Sequence, residues 1–583
     1  MLRSPRSAKA GTATALVLAV ATAVACNGEA QSQRTPTPQL AINQSLTYPI
    51  SGDVATLDPA VVDTKDEAAV TQNVFDGLVR YNDSMQVVPD IAATPPTVSA
   101  DGLTYTFKLR TEARFSNGDR VTARDVLYSW NRAAALQGSN APNLSAIAGY
   151  ATVSTNQLYG PPLEALLEKQ DPSVSMSGLK AVGDATVVVT LSSPAGWFLD
   201  AIAEPGAVGM VVDQNAVRKD FSNWWSSPAT LVGTGPYRMT SLQPGAGMDF
   251  TAVPGWWGSP RPALTSVHLK VEPDAANAFA RFGRGEFDLF GYGGYAPQVS
   301  DVLSMQASAK PSGRVELAGG AASNWVSFNL VSDASRAGGP FTLDHGAAAH
   351  DLRLAFALAV DKAALAKQVC QDLACAPATG GLIPKGLSGY LGDRADPLSG
   401  FDPVRARALL HSADPDGSKT RGLFYTYDPE NPLNDPTARF LQSQWQANLG
   451  VSVTIQPVNR TAFIRERLKG GYVLSRDGWM AGYNDPQNWF DNLWGKAAGC
   501  PDATCTTGYD TAAYDSLLAR ADGQPPARGA ADYAALARQL ISDVAYIPLY
   551  YTQGVMLVKP YVKGAGGNNL FDYPWGEITI QSH

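Results

Sequence analysis

Residues 476–486, RDGWMAGYNDP, concentrate the side chains that grip a polar ligand. A guanidinium (Arg476), an indole (Trp479), a phenol (Tyr483) and an amide (Asn484) stand beside two acids, Asp477 and Asp485, and two glycines, Gly478 and Gly482. Aromatic walls exclude water, glycine lets backbone come close, and a buried charge fixes an oppositely charged ligand end. The chemistry in view is capture of a solute, with no bond made or broken. The competing account is a packed Trp/Tyr corner closed by a Gly-Tyr-Asn-Asp-Pro turn.

The elements that must position this segment alternate between strand and helix. Residues 46–50 read as a short strand, and residues 65–75 as a helix capped by Asp63 or Thr64. Residues 103–110 alternate apolar and polar side chains, as a half-buried strand does. Thr122 opens a helix running through Trp130, with Asp125 as its capping-box partner. Further strands are expected at 185–191, 267–271, 424–427, 451–457 and 547–551. Further helices are expected at 274–284, 351–367, 402–410, 435–449 and 532–544. This pattern is α/β with mixed sheets. No linker-like composition appears after residue 45, so the domains are expected to interleave.

Catalytic motifs are missing. The five histidines (His268, His345, His350, His411, His583) form no H-E-x-x-H and no pairing with cysteine. No G-x-S-x-G elbow, phosphate loop or dinucleotide fingerprint is present. The glycine-rich residues 290–295 lack a following helix and basic residue, and read as a mobile cleft edge or hinge. No catalytic residue, metal or cofactor is therefore assigned. Paired carboxylates meet only in three dimensions, so an exported hydrolase stays as the alternative from a different class.

At 583 residues, with 45% hydrophobic and 17% charged content, the chain is globular and long enough for two to four domains. A net charge of −8 without a basic stripe argues against nucleic acid as partner. Arg3, Arg6 and Lys9 precede a short apolar run, so residues 1–25 read as a secretory signal, too short to span a membrane comfortably. Ala23-Val24-Ala25-Cys26 resembles a bacterial lipobox, which would make Cys26 the acylated mature N-terminus. The box usually has Leu where Ala23 stands, and ordinary cleavage is the alternative. Residues 26–40, rich in Gln, Ser, Thr and Pro, suit a flexible tether. Cys370/Cys375 and Cys500/Cys505 are each spaced C-x4-C. They admit a four-thiolate metal site or two local disulfides, and the exported context favours the disulfides.

Several collinear stretches carry a resemblance. They are TLDPA (residues 56–60), FDGLVRYN (75–82), TYTFKLRTEARFSNGDRVTARDVLYSW (104–130), TGPY (234–237), LRLAFALAVDKAAL (352–365), FDPVRARALL (401–410) and the IPLYY…LVKPYVKG ending (547–564). Together they resemble the extracytoplasmic solute-binding proteins of ABC importers, of the peptide- and oligopeptide-binding type. The resemblance implies a two-lobed periplasmic-binding-protein-like fold with an extra domain inserted in the first lobe. Domain I would comprise residues 41–75, 212–318 and 545–583; domain II, 76–211; and domain III, the opposing lobe, 319–544. It implies a monomer, lipid-anchored at the outer face of the bacterial cytoplasmic membrane, that binds peptides between lobes and hands them to a permease. A modified or N-blocked peptide, or an opine-like solute, is the alternative ligand.

In that family a segment like RAGWCADYNEP lines the cleft, its Arg serving a peptide carboxylate and its Asp the α-amine. Arg476, Gly478, Trp479, Tyr483 and Asn484 match it; Met480 stands at the Cys position and Asp477 is a new acid. Gly482 stands where the amine-binding Asp would be. Either Asp477 or Asp485 stands in, or the ligand lacks a free N-terminus altogether; if the missing carboxylate alters selectivity, Gly482→Asp is expected to strengthen binding of free-amine peptides. Asp63, Thr64 and Lys65 align with the opposite cleft edge, where Lys65 is either a solvated lysine at a helix start, the favoured reading, or a cation that selects an acidic ligand.

Overall fold

Three larger sheets, beside two two-stranded ones, organise the chain among the residues that the computed structural model describes, 39–331, 339–500, 506–568, 570 and 573–583. The expected signal, Cys26 and Cys505 lie outside the described residues. The first sheet runs Ser45–Ile50, Ser266–Val271, Gly247–Ala252, Tyr237–Gln243. Its first pair is parallel, with Ser45 opposite Ser266, and its other pairs are antiparallel. The chain thus leaves this sheet and returns to it, which explains the missing linkers. The second sheet is antiparallel: Thr97–Val98, Thr104–Lys108, Thr186–Thr190, Leu179–Ala181. Tyr105 and Phe107 are buried from it while Thr104 and Thr106 are only half-buried, as the alternation requires.

The third sheet has seven strands in mixed directions. Its centre is an antiparallel pair, Arg314–Phe328 and Tyr546–Val558. Leu474–Met480 pairs with the first of these, and Phe424–Tyr427 and Thr454–Pro457 continue the sheet. The ladder between the two central strands shifts register between Gly319 and Ser323. There a Cβ on Gly320 would lie 1.8 Å from the Thr552 carbonyl oxygen, so no larger residue fits.

Local signals decided the helix starts. Thr64 caps Lys65–Val74 in a capping box: its side chain accepts from Glu67 N, and Glu67 Oε2 accepts from Thr64 N at 2.9 Å. Asp125 closes the equivalent box at Thr122, and that helix runs on to Leu136. The single helix expected over 351–367 is instead two, Gly346–Leu358 and Lys362–Val369. Asp361 breaks it by capping the second, accepting from Ala364 N at 2.9 Å; an Asx side chain competes with the helix for its own backbone. The glycine-rich residues 290–295, expected as a mobile edge, are packed. Tyr292 is buried against the rings of Tyr48 and Tyr573, and Gly294 N donates to Asp66 Oδ1 at 2.7 Å. Cys370 and Cys375 form the expected disulfide, tying the end of the Lys362–Val369 helix to the short strand Cys375–Pro377.

Asp58, of the TLDPA stretch, reaches across to the helix Ala123–Leu136. It accepts both guanidinium nitrogens of the buried Arg132, at 2.9 and 2.7 Å, and Trp224 Nε1 at 3.4 Å. Glu164 Oε1, 3.5 Å from Arg132 Nε, is a second carboxylate partner. Asp58→Ala is expected to destabilise the protein by about 1.5–3 kcal/mol in urea unfolding, the scale of lost hydrogen bonds to a charged group; a change within the error of the unmodified protein would show that Glu164 alone suffices to hold Arg132.

Candidate ligand-binding site

Pleat alternation along Leu474–Met480 divides the expected site residues between two faces. Asp477 points into the core. Its carboxylate accepts from the Arg467 guanidinium, from Ser327 Oγ at 2.7 Å and from Gly478 N at 2.9 Å. Arg476 points the other way, with Nη2 3.3 Å from Asn324 Oδ1 and Nη1 3.9 Å from Asp428 Oδ2. Gly478 is required by close approach: a Cβ there would lie 2.9 Å from Ser323 O.

Beyond the strand, residues 479–483 form one wall of a cavity of about 500 Å³. Asp63, Thr64 and Lys65, at the start of the first helix, form another. The remaining wall brings Asn140, Asn143, Trp197 and Glu204. Trp479, Met480, Gly482, Tyr483, Asp63, Thr64 and Lys65 therefore meet, as the sequence suggested. Arg476, Asp477, Gly478 and Asn484 do not line this cavity. Asn484 instead ties loops together: its N–H donates to Tyr81 Oη at 3.0 Å, its Nδ2 to Met85 O at 3.1 Å, and its Oδ1 accepts from Ser388 N at 2.8 Å.

The wall is held by side chains the sequence did not single out. Asn488 Oδ1 accepts from both Trp479 Nε1 and Gly482 N, each at 3.1 Å. The Tyr483 ring stacks on Trp197, with centroids 6.3 Å apart and planes 19° from parallel. Glu204 follows the short helix Phe198–Ile202 and receives a hydrogen bond from Asn143 Nδ2. No motif marks Ala203-Glu204-Pro205, so no sequence signal pointed to it. The two acids expected to replace a carboxylate at 482 are committed elsewhere. Asp477 holds Arg467, and the buried Asp485 accepts from Gln487 N at 2.9 Å behind the Tyr483 wall.

Electrostatics around this wall are unusual for an interior. Burial pushes the Lys65 ammonium down to about 8, opposed by Asp66. Burial raises the Glu204 carboxyl to about 7, opposed by its bond from Asn143. Burial, with Asp485 nearby, raises Asp200 to about 7, and burial raises Asp485 itself to about 6. Burial and the neighbouring Asp491 raise Asp522 to about 8. Among the described residues no group of histidines, cysteines and acids is arranged to hold a metal.

Two expectations follow from these positions. An ideal Cβ at Gly482 would lie 2.5 Å from Glu204 Oε1, so Gly482→Asp crowds a second carboxylate against the first. An acid at 482 therefore has to displace the Glu204 head group before it can meet a ligand amine. The substitution should cost about 1–3 kcal/mol, relieved when Glu204→Ala is added in a double-mutant cycle; additive effects would refute the contact. Second, carboxyls raised in the folded state hold protons that the unfolded chain loses above about pH 4. Their contribution is complete below that pH and declines as pH rises to about 7 for Asp200 and about 8 for Asp522. The ligand-free melting temperature should therefore be higher at pH 5 than at pH 8, and a flat or rising profile would contradict this.

The model of bacterial extracellular solute-binding proteins, family 5 Middle, matches residues 86–499. The probable deoxycholate-binding periplasmic protein YgiS of Escherichia coli is 28% identical over 556 residues, spanning 93% of this chain and 95% of its own. The periplasmic oligopeptide-binding protein OppA of Salmonella typhimurium is 25% identical over 548 residues, spanning 92% of each chain. Among solved structures, the unliganded open form of the periplasmic murein tripeptide binding protein MppA superposes with a TM-score of 0.77 at 23% identity, covering 94% of this chain and 99% of its own. Haemophilus influenzae OppA in complex with RPPGFSPFR gives 0.67 at 22% identity, covering 93% and 100%. At such identities the structural likeness carries the fold, which is periplasmic-binding-protein-like. With the family match spanning most of its length, this chain belongs to the bacterial extracellular solute-binding proteins of family 5.

Proposed function

We propose that the protein is the receptor of an ABC importer, capturing peptides or peptide-like solutes outside the cytoplasmic membrane and delivering them to a permease. The observation that carries this reading is the cavity between the start of the Lys65–Val74 helix and residues 479–483, walled by Trp197, Trp479 and Tyr483. A lipid on Cys26 with the 26–40 tether would keep the receptor near the permease. Residues 41–75, 212–318 and 545–583 serve as domain I, 76–211 as its insertion and 319–544 as the opposing lobe. The two central strands, Arg314–Phe328 and Tyr546–Val558, then act as the crossing segments about which the lobes close. The closed form is what the permease reads, and a monomer suffices for it.

A second reading has support from the relative named as probably deoxycholate-binding. The aromatic walls suit a steroid body. An anionic head would sit beside Glu204 and Asp491, with Lys65 the one Lys or Arg among the described lining residues. That charge balance favours a peptide-like ligand over a bile acid.

Native mass spectrometry of the purified protein weighs any co-purified ligand. Random tripeptide pools should raise the melting temperature by mass action, while deoxycholate should not. Trp479→Ala should weaken pool binding about tenfold or more in calorimetry, as loss of an aromatic wall does, with the unliganded melting temperature little changed. A shift with deoxycholate alone would overturn the peptide reading, and steady product release would make the protein an enzyme.

A further inference from the structure

The place left by the missing side chain at 482 is not empty. A Cβ built there would meet Glu204 Oε1 at 2.5 Å, Cδ at 2.9 Å and Oε2 at 3.1 Å. A carboxylate from a distant stretch of chain thus fills the volume that a side chain at 482 would take. It is held rather than free: Asn143 Nδ2 donates to Glu204 Oε2 while also reaching Ala201 O at 3.1 Å. Among the described residues Asn143 is the one hydrogen-bond partner of this carboxylate, and no ion pair neutralises it. The group is half-buried and open to the cavity.

A carboxylate withdrawn from water without a countercharge is costly, and a cation supplied by a ligand removes that cost. The surroundings suit such a cation. Trp197, Tyr483 and Trp479 line the same cavity, so aromatic rings lie near the carboxylate, and rings of this kind attract a positive charge. Burial lifts the carboxyl to about 7, opposed by the bond from Asn143.

We propose that Glu204 is the specificity-determining residue that binds a protonated amine of the ligand, its carboxylate standing where a side chain at 482 would begin. The proposal rests on the receptor reading above and names what its cavity selects. It also explains why neither Asp477 nor Asp485 is needed for the task.

The test compares two probes, a random tripeptide pool with free amines and the same pool N-acetylated, by equilibrium binding at pH 8. The unmodified protein should bind the free-amine pool roughly tenfold or more tightly than the acetylated pool, the scale of a charge-assisted hydrogen bond. Glu204→Gln, nearly isosteric, should abolish that preference while leaving binding of the acetylated pool within about twofold. In a Glu204→Ala background, where that space is vacated, adding Gly482→Asp should restore the preference by returning a carboxylate to the same place from the other wall. A preference that survives in Glu204→Gln, or equal binding of both pools by the unmodified protein, would overturn the proposal and leave the receptor reading standing. Binding of neither pool would overturn both.

Discussion

The ladder between Arg314–Phe328 and Tyr546–Val558 is the constraint on which the rest depends. Leu474–Met480 is pinned to the first strand, and Cys375–Pro377 and Leu289–Phe290 to the second. Residues more than two hundred positions apart must meet before the cavity wall has anything to lean on. Register matters as much as pairing. A slip of one residue would exchange the faces of Arg476 and Asp477, placing a carboxylate beside Asp428 and a guanidinium beside Arg467. The two ion contacts of this strand therefore oppose misregistration as well as holding side chains.

A second theme is acidity held out of water. Asp200, Asp485, Asp522 and Glu204 all have raised carboxyls, and burial is the leading cause each time. Three of them lie behind the Tyr483 wall, where hydrogen bonds from Tyr81 and Tyr533 keep Asp200 and Asp522 within the fold. Glu204 differs in being open to the cavity. Carboxyls kept protonated at the interior are a compromise between packing and charge, and such compromises gather near sites that receive ligands.

Much of the fold was legible because the relevant physics is local. Thr64 with Glu67, and Thr122 with Asp125, announce helix starts through side chains that satisfy their own backbone. Tyr105 and Phe107 announce a strand by alternation. Where a local competitor intervened, as Asp361 did, a periodic pattern concealed a break. The site was half legible. Trp479, Gly482 and Tyr483 stand in one short segment, and Asp63 to Lys65 sit at a readable helix start. Glu204, Asn143 and Trp197 come from other stretches, and only folding brings them to the cavity. The faces of Arg476 and Asp477 could not be read either, since they depend on which strand lies alongside.

The shared acceptor at Asn488 has a consequence for how such a receptor diversifies. One oxygen fixes the tilt of the Trp479 indole and the path of the backbone at Gly482. These two features behave as a single mechanical part. Trp197 and Tyr483 are buried, and the Tyr483 hydroxyl donates to Gln487, so the stacked pair is tied into the same wall. A change at Trp479 leaves Asn488 Oδ1 holding the Gly482 amide alone. Divergence toward other ligands should therefore keep Asn488 even where the indole is replaced.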